Sequence, residues 1–274
     1  MLSSSDALVL IGAGKMGGAM LSGWLAGRLQ GAQVHLRDPN PPAEMAKLVA
    51  TQGLKLNFSI EDIAAEAPRV VVLAVKPQIM DAVLPELKPL VRPGTLFLSI
   101  AAGVGLDRIE AGLGSGAAIV RTMPNTPASV GKGITAAIGN AHITPEDRAL
   151  CDELLSAIGA VVWLRQEAEM DAVTALSGSG PAYVFALAET MAAAGEQLGL
   201  DPVLAKKLAR ATVAGAGAML DVLPEDVSDL RRNVTSPGGT TAAALDVLLG
   251  DEGLWQLMRN AMNAARARSR ELSK

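Results

Sequence analysis

Gly12, Gly14 and Gly17 stand in Gly-x-Gly-x-x-Gly spacing, which suits one task, the cradling of a pyrophosphate. The first glycine permits a tight turn, the second lets the backbone approach the anion, and the third lets the next helix pack on its strand. The N–H groups that open that helix, and the positive end of its dipole, then face the phosphates. With 28 glycines in 274 residues the pattern means little without its surroundings. Those surroundings fit: Leu8 to Ile11 is an apolar strand-forming run, Met16 to Leu29 carries apolar residues at helical spacing, and Asp38 ends the next strand. The unit reads as dinucleotide-binding, with Ile11, Gly12, Ala13, Gly14, Lys15 and Met16 at its centre. Asp38 suits a ribose 2′-hydroxyl and would repel a 2′-phosphate, whereas Arg37 and Lys15 would attract that phosphate. On the residues alone the choice between NADH and NADPH stays divided.

Open α/β sheets bind ligands beyond the C-terminal ends of their strands. The sequence repeatedly stops its strands there with unusual residues: Arg37-Asp38, Ala74-Val75-Lys76-Pro77, Ala101-Ala102-Gly103 and Met123-Pro124-Asn125-Thr126-Pro127. Any one of these is equally well read as an ordinary strand stop; several along one sheet edge imply a ligand-lined crevice. Lys76 is the only charge in its neighbourhood, and Pro77 fixes the backbone beside it.

The remaining inventory excludes more than it offers. Of two histidines, His35 falls within a strand and His142 in a loop. No His-Glu-x-x-His motif or Cys/His cluster is present, so no metal is expected. The single cysteine, Cys151, lies among Ala149, Leu150, Leu154 and Leu155, as a helix core position would. This favours chemistry carried by a cofactor, with the protein supplying orientation and electrostatics. A second informative segment runs from Asn233 to Thr241, Asn-Val-Thr-Ser-Pro-Gly-Gly-Thr-Thr, before an Ala-rich stretch. Hydroxyls and glycines before a helix form either an anion nest or a plain cap and turn, and both readings stand.

Positioning these groups requires an alternation of strands and helices through Leu164. Strands are expected at Leu8 to Ile11, Val34 to Arg37, Val70 to Val75, Thr95 to Ile100, Ala118 to Met123, Ile134 to Ile138 and Ala160 to Leu164, with helices between. The fold class is α/β: an N-terminal doubly wound Rossmann domain over 1–165, followed by an all-α C-terminal domain over 166–274. In the second domain Ser177-Gly178-Ser179-Gly180-Pro181 is expected to interrupt a helix. Ala182 to Leu198 is apolar nearly all round and implies burial on every side. A homo-oligomer built through this domain follows. The net charge of −4 gives no reason to expect nucleic acid or acidic membranes as partners. Met1 to Asp6 is too short and polar for a signal peptide, and no stretch of about 20 residues is apolar enough to span a bilayer, so a cytoplasmic protein is expected.

The motifs together resemble the pyrroline-5-carboxylate reductase family over nearly the whole chain. The likeness rests on Ile11 to Met16, Ala74 to Pro77, Ala101 to Val104, Met123 to Pro127, Leu176-Ser-Gly-Ser-Gly-Pro-Ala-Tyr183 and Val234-Thr-Ser-Pro-Gly-Gly-Thr-Thr241. It implies reduction of 1-pyrroline-5-carboxylate to L-proline with NADPH, NADH also being accepted, in a homodimer or larger ring, the helical domain over 166–274 serving as the dimerisation and substrate domain. It further implies cofactor contacts at Ile11 to Met16, Arg37, Ala74, Val75, Lys76, Pro77, Ala101 and Ala102. The substrate carboxylate would meet Ser236, Gly239, Thr240 and Thr241, with Asn125 and Val173 nearby. Thr241 and Lys76 are the candidate catalytic groups, Thr241 orienting the imine nitrogen or a water and Lys76 acting through its charge. A β-hydroxyacid dehydrogenase shares the layout, but needs a helix lysine soon after the second Gly-rich turn, and none occurs before Lys206. A non-catalytic dinucleotide sensor would keep the first turn without needing the Ser236 to Thr241 loop.

Overall fold

The structure, a computed structural model, describes residues 2, 3, 6–27 and 29–273. Met1, Ser4 and Ser5 of the N-terminal segment, and Arg28 of the first helical run, lie outside the described residues. By internal contacts the chain forms two units, one reaching to Gly178 and taking in Arg266 onward, the other Ser179–Ala265.

The first unit is organised by an eight-stranded sheet. Its strands are β1 (Leu8–Ile11), β2 (Val34–Arg37), β3 (Lys55–Leu56), β4 (Val70–Leu73), β5 (Leu96–Ser99), β6 (Ala118–Met123), β7 (Gly133–Gly139) and β8 (Gly159–Trp163). The spatial order is β3-β2-β1-β4-β5-β6-β7-β8. The central strands are apolar at successive positions because both faces are covered. Leu8, Leu10, Val70, Val72, Leu96 and Leu98 feed one core cluster. Val9, Ile11, Val71, Leu73 and Phe97 feed the other. Cys151 is buried in the first cluster, where desolvation raises its thiol pKa and keeps it protonated.

Six strands run parallel as expected of a doubly wound sheet, and β7 differs: it pairs antiparallel with β6 and parallel with β8. The cause is the connection. Only residues 124–132 join β6 to β7, with a short 3₁₀ segment Thr126–Val130, too little for the crossover helix a parallel return requires. Strand β3 was not expected from the sequence, being two exposed residues at the sheet edge.

The helices of this unit are α1 (Lys15–Ala26), α2 (Ala43–Gln52), α3 (Ile60–Ala65), α4 (Met80–Val83, flanked by 3₁₀ turns Pro77–Ile79 and Leu84–Leu90), α5 (Leu106–Leu113), α6 (Pro145–Ser156) and α7 (Met170–Val173). Pro85 and Pro89 explain the 3₁₀ character after α4, since each lacks the donor an α-helix needs there. Ser59 caps α3 by accepting from the Asp62 N–H, as the acidic first turn suggested.

The expected interruption at Ser177 to Pro181 is milder than the sequence implied. Thr174–Gly178 forms a π-type turn, and α8 (Gly180–Gln197) starts directly after it with Pro181 in its first turn, where the missing N–H costs nothing. The second unit continues with α9 (Pro202–Val222), α10 (Val227–Asn233), α11 (Thr240–Leu248) and α12 (Leu254–Leu272), whose last turns belong to the first unit. Helix α10 was not expected from the sequence. Ala192, Ala205 and Ala209 are the buried residues of α8 and α9. Burial of α8 on every side does not occur within one chain: Phe185 is 64% exposed, and Val184, Leu187 and Met191 are also exposed.

Candidate active site

Parallel register brings the C-terminal ends of β1, β2, β4, β5 and β6 to one edge. Ile11 lies opposite Arg37 on one side and Leu73 on the other, and Leu73 lies opposite Ser99. The segments beyond these ends therefore gather along one line: Gly12 to Met16, Asp38, Ala74 to Pro77, and Ala101-Ala102. Backbone bonds lock the turn between them. Gly12 N–H donates to Arg37 O at 2.9 Å, and Ala74 N–H donates to Ile11 O at 2.8 Å.

Each glycine of the motif meets a different physical demand. Gly12 has φ +93°, and a Cβ there would lie 2.8 Å from Ala74 O, so both conformation and space exclude a side chain. At Gly17 a Cβ would come within 2.6 Å of Gly12 O and 3.0 Å of Ala74 Cβ, the close approach of helix to strand. Gly14 is required by neither. It is extended, with φ −62° and ψ −172°, and no protein atom lies within 4 Å of a Cβ built there. It is exposed, it precedes α1 as a cap without a side chain, and Lys15 beside it is exposed too. The open space before uncapped N–H groups fits a dinucleotide pyrophosphate.

Asp38 is tied to this turn more closely than the sequence suggested. Its Oδ2 accepts from Ala13 N–H at 2.7 Å and its Oδ1 from Asn40 N–H at 2.9 Å. Arg37 turns to Glu86, whose Oε2 lies 2.6 Å from its guanidinium. Glu86 carried no signal in the sequence, being 49 residues away in an unremarkable helical run. Lys76 is exposed at the start of the Pro77–Ile79 turn. Ala101 is buried and Ala102 exposed.

Asn125 and Val173 are placed by the same unit. Asn125 is nearly buried and its side-chain amide is occupied: Oδ1 accepts from Ile134 N–H at 2.9 Å, and Nδ2 donates to Ser177 O at 3.2 Å. It thus fixes the loop after β6 to the π-type turn. Val173 ends α7, and its carbonyl accepts from Ser177 Oγ at 3.1 Å. Glu167, also unmarked in the sequence, accepts through one oxygen from buried Arg121 at 2.6 Å and from Leu106 N–H at 2.8 Å.

In the second unit, the segment after α10 turns through Gly238 at φ +69° and ends at Gly239, the N-cap of α11. Gly239 N–H donates to Ser236 O at 3.0 Å, and no side chain caps the helix. Of the plain cap-and-turn reading, the glycine bend is present at Gly238, while no hydroxyl of the segment caps α11. Ser236 and Thr240 are exposed and Thr241 half-buried.

Among the described residues, no group of His, Cys, Asp and Glu is arranged to hold a metal ion, and no helix is long and apolar enough to cross a membrane.

Comparison with known proteins places these features in a family. Residues 167–272 match the family described as pyrroline-5-carboxylate reductase dimerisation, and residues 7–103 match that described as NADP oxidoreductase, coenzyme F420-dependent. A pyrroline-5-carboxylate reductase of Pseudomonas aeruginosa is 41% identical over 98% of both chains. The solved reductase of Coxiella burnetii superposes with a TM-score of 0.91 at 35% identity, covering 99% of this chain and 100% of that one. The Plasmodium falciparum enzyme, solved with NADP bound, gives 0.82 at 30% identity over 98% of each. Full-length likeness at this level shows that the chain belongs to the pyrroline-5-carboxylate reductase family.

Proposed function

We infer that this chain catalyses the NAD(P)H-dependent reduction of 1-pyrroline-5-carboxylate to L-proline, the last step of proline biosynthesis. The observation that carries the reading is full-length likeness to reductases of that name. Two local features support it: the cradle left open at Gly14 and the helix left uncapped at Gly239.

Bound NAD(P)H supplies the hydride. The chain's own tasks are binding, orientation and electrostatics. Residues 1–165 serve as the dinucleotide domain and 166–274 as the helical dimerisation and substrate domain. Ile11 to Met16 hold the pyrophosphate, Arg37 serves the adenosine ribose, Asp38 braces the turn beside it, and Ala74 to Pro77 with Ala101 and Ala102 line the rest of the dinucleotide. Lys76 acts through its positive charge. The N–H groups opening α11, with Ser236, Gly239, Thr240 and Thr241, take the substrate carboxylate. Each charge-assisted hydrogen bond is worth about 1.5–3 kcal/mol, enough in twos and threes to hold a small anion. The family likeness also assigns Asn125 and Val173 to substrate binding; within the first unit Asn125 ties the loop after β6 to the π-type turn. A cyclic imine is basic enough to take its proton from solvent, so no strong enzymic acid is needed. Thr241 orients the nitrogen or a water and is too weak an acid to be the proton source.

The exposed apolar residues of α8 and α9 support a homodimer or larger assembly, the partner being a second copy of the chain. The reading has a small-molecule substrate, NADPH preferred over NADH, and a cytoplasmic setting, with no nucleic-acid or membrane partner. Imine-dependent oxidation of NADPH, with L-proline formed in equal amount, is the expected result. Oxidation that proceeds only with a β-hydroxyacid's keto product, or dinucleotide binding without turnover, would overturn it.

A further inference from the structure

We propose that Glu86 sets the discrimination between the 2′-phosphorylated and the unphosphorylated dinucleotide, by holding Arg37 in an ion pair that a 2′-phosphate has to displace. The proposal rests on the dinucleotide assignment made above and deepens it.

Arg37 is the last residue of β2, and its carbonyl accepts the N–H of Gly12, so its position relative to the cradle is fixed by the backbone. Beside the second strand end, a Rossmann site meets the adenosine ribose, where an acid favours the free 2′-hydroxyl and a cation the 2′-phosphate. Asp38 supplies the acid, but its two oxygens accept from Ala13 and Asn40 amides and serve the turn. That leaves two cations, Lys15 at the cradle and Arg37 at the strand end, and Arg37 is the one held by a carboxylate: its guanidinium lies 2.6 Å from Glu86 Oε2. Glu86 projects from the 3₁₀ segment Leu84–Leu90 that follows α4, an element separate from the cradle.

The electrostatics give the pair opposite effects on the two cofactors. Both side chains are partly exposed, Arg37 at 34% and Glu86 at 56%, so water screens the pair and it yields readily to a stronger partner. A 2′-phosphate is such a partner, carrying close to two negative charges and three acceptor oxygens. To engage it Arg37 must leave Glu86, and the freed carboxylate then stands near a like-charged phosphate. An unphosphorylated ribose requires neither change. Glu86 thus taxes NADPH and leaves NADH alone, acting as a positioning residue through Arg37.

The test compares the parent, Glu86→Gln, Arg37→Met and the double variant. Two readouts are taken: the ratio of kcat/KM for NADPH and NADH, and calorimetric dissociation constants for 2′,5′-ADP and 5′-ADP. Glu86→Gln is expected to raise the NADPH preference about tenfold, through the KM for NADPH, with the NADH constants steady. Arg37→Met is expected to lower the preference, and in its presence Glu86→Gln is expected to have no further effect. A structural role for Glu86 would move both cofactors together, and that result overturns the proposal, as does an unchanged ratio. The ADP constants need no imine, so they decide the proposal even if the assigned reaction fails. A parent that turns over the imine with both ratios unmoved in Glu86→Gln overturns the proposal alone.

Discussion

The carboxylate of Asp38 accepts the backbone N–H of Ala13 at 2.7 Å, joining the end of β2 to the middle of the glycine turn. A short acidic side chain here braces the loop. Asp38→Ser removes both bonds and leaves an amide of the buried Ala13 without its partner, a loss of about 1–3 kcal/mol. The expected outcome is weaker binding of NADPH and NADH alike, with Asp38→Asn, which keeps an acceptor oxygen, retaining most of the affinity. Fluorescence titration of both cofactors checks this. A rise in NADPH affinity with a fall for NADH would instead give Asp38 the direct ribose role read from the sequence.

Gly14 and Gly12 should respond to alanine in opposite ways. Gly14→Ala meets no protein atom within 4 Å, so the melting temperature should stay close to the parent's while dinucleotide affinity falls by about tenfold or more. Gly12→Ala forces a side chain to φ +93° and to within 2.8 Å of Ala74 O, and should destabilise the fold by about 2 kcal/mol or more. Thermal denaturation beside calorimetric titration separates the two. Full cofactor affinity in Gly14→Ala would remove the pyrophosphate from this turn.

The loop before α11 offers a test of substrate binding that spares the cofactor. A Cβ at Gly239 would sit 3.1 Å from Ser236 O, at the mouth of the uncapped helix. Gly239→Val should raise the imine KM by about tenfold or more while the NADPH dissociation constant stays within about twofold. Thr241→Ala should lower kcat more than it raises KM, as expected of a group whose contact matters most when hydride arrives. Steady-state kinetics with varied imine reads both. Parent-like constants would reduce the loop to a helix start.

His35 makes the fold sensitive to mild acid. It is buried on β2, with Nε2 3.1 Å from Glu66 Oε2 and Nδ1 without a hydrogen-bond partner among the described residues. Burial holds its pKa below 6.5, outweighing the attraction of Glu66, while Lys55 adds to the lowering. As pH falls, the unfolded chain therefore binds this proton first. The stabilisation is full above pH 6.5 and is lost as pH falls through that value toward the folded pKa. The urea midpoint should drop between about pH 7.5 and about pH 5.5, and His35→Phe should flatten that drop. An equal slope in both proteins would remove His35 as the cause.

The boundary between what the residues determine and what the fold decides follows the range of the forces. Strand runs such as Val70 to Leu73, the Ser59 cap and the three glycines act over a few positions, so composition and spacing alone disclose them. The same holds for the six-motif likeness that pointed to the family. The reversal of β7 was hidden because strand direction depends on what the short 124–132 connection can span. Pairings across 49, 46 and 52 residues were hidden as well: Arg37 with Glu86, Arg121 with Glu167, and Asn125 with the Ser177 carbonyl. Arg37 and Asn125, read from the sequence as facing ligand, are claimed by partners that local pattern cannot name. Sequence determined which atoms could meet a dinucleotide and a carboxylate; tertiary contact decided which of them were already engaged, because hydrogen bonds and ion pairs are won by proximity in space and not by order along the chain.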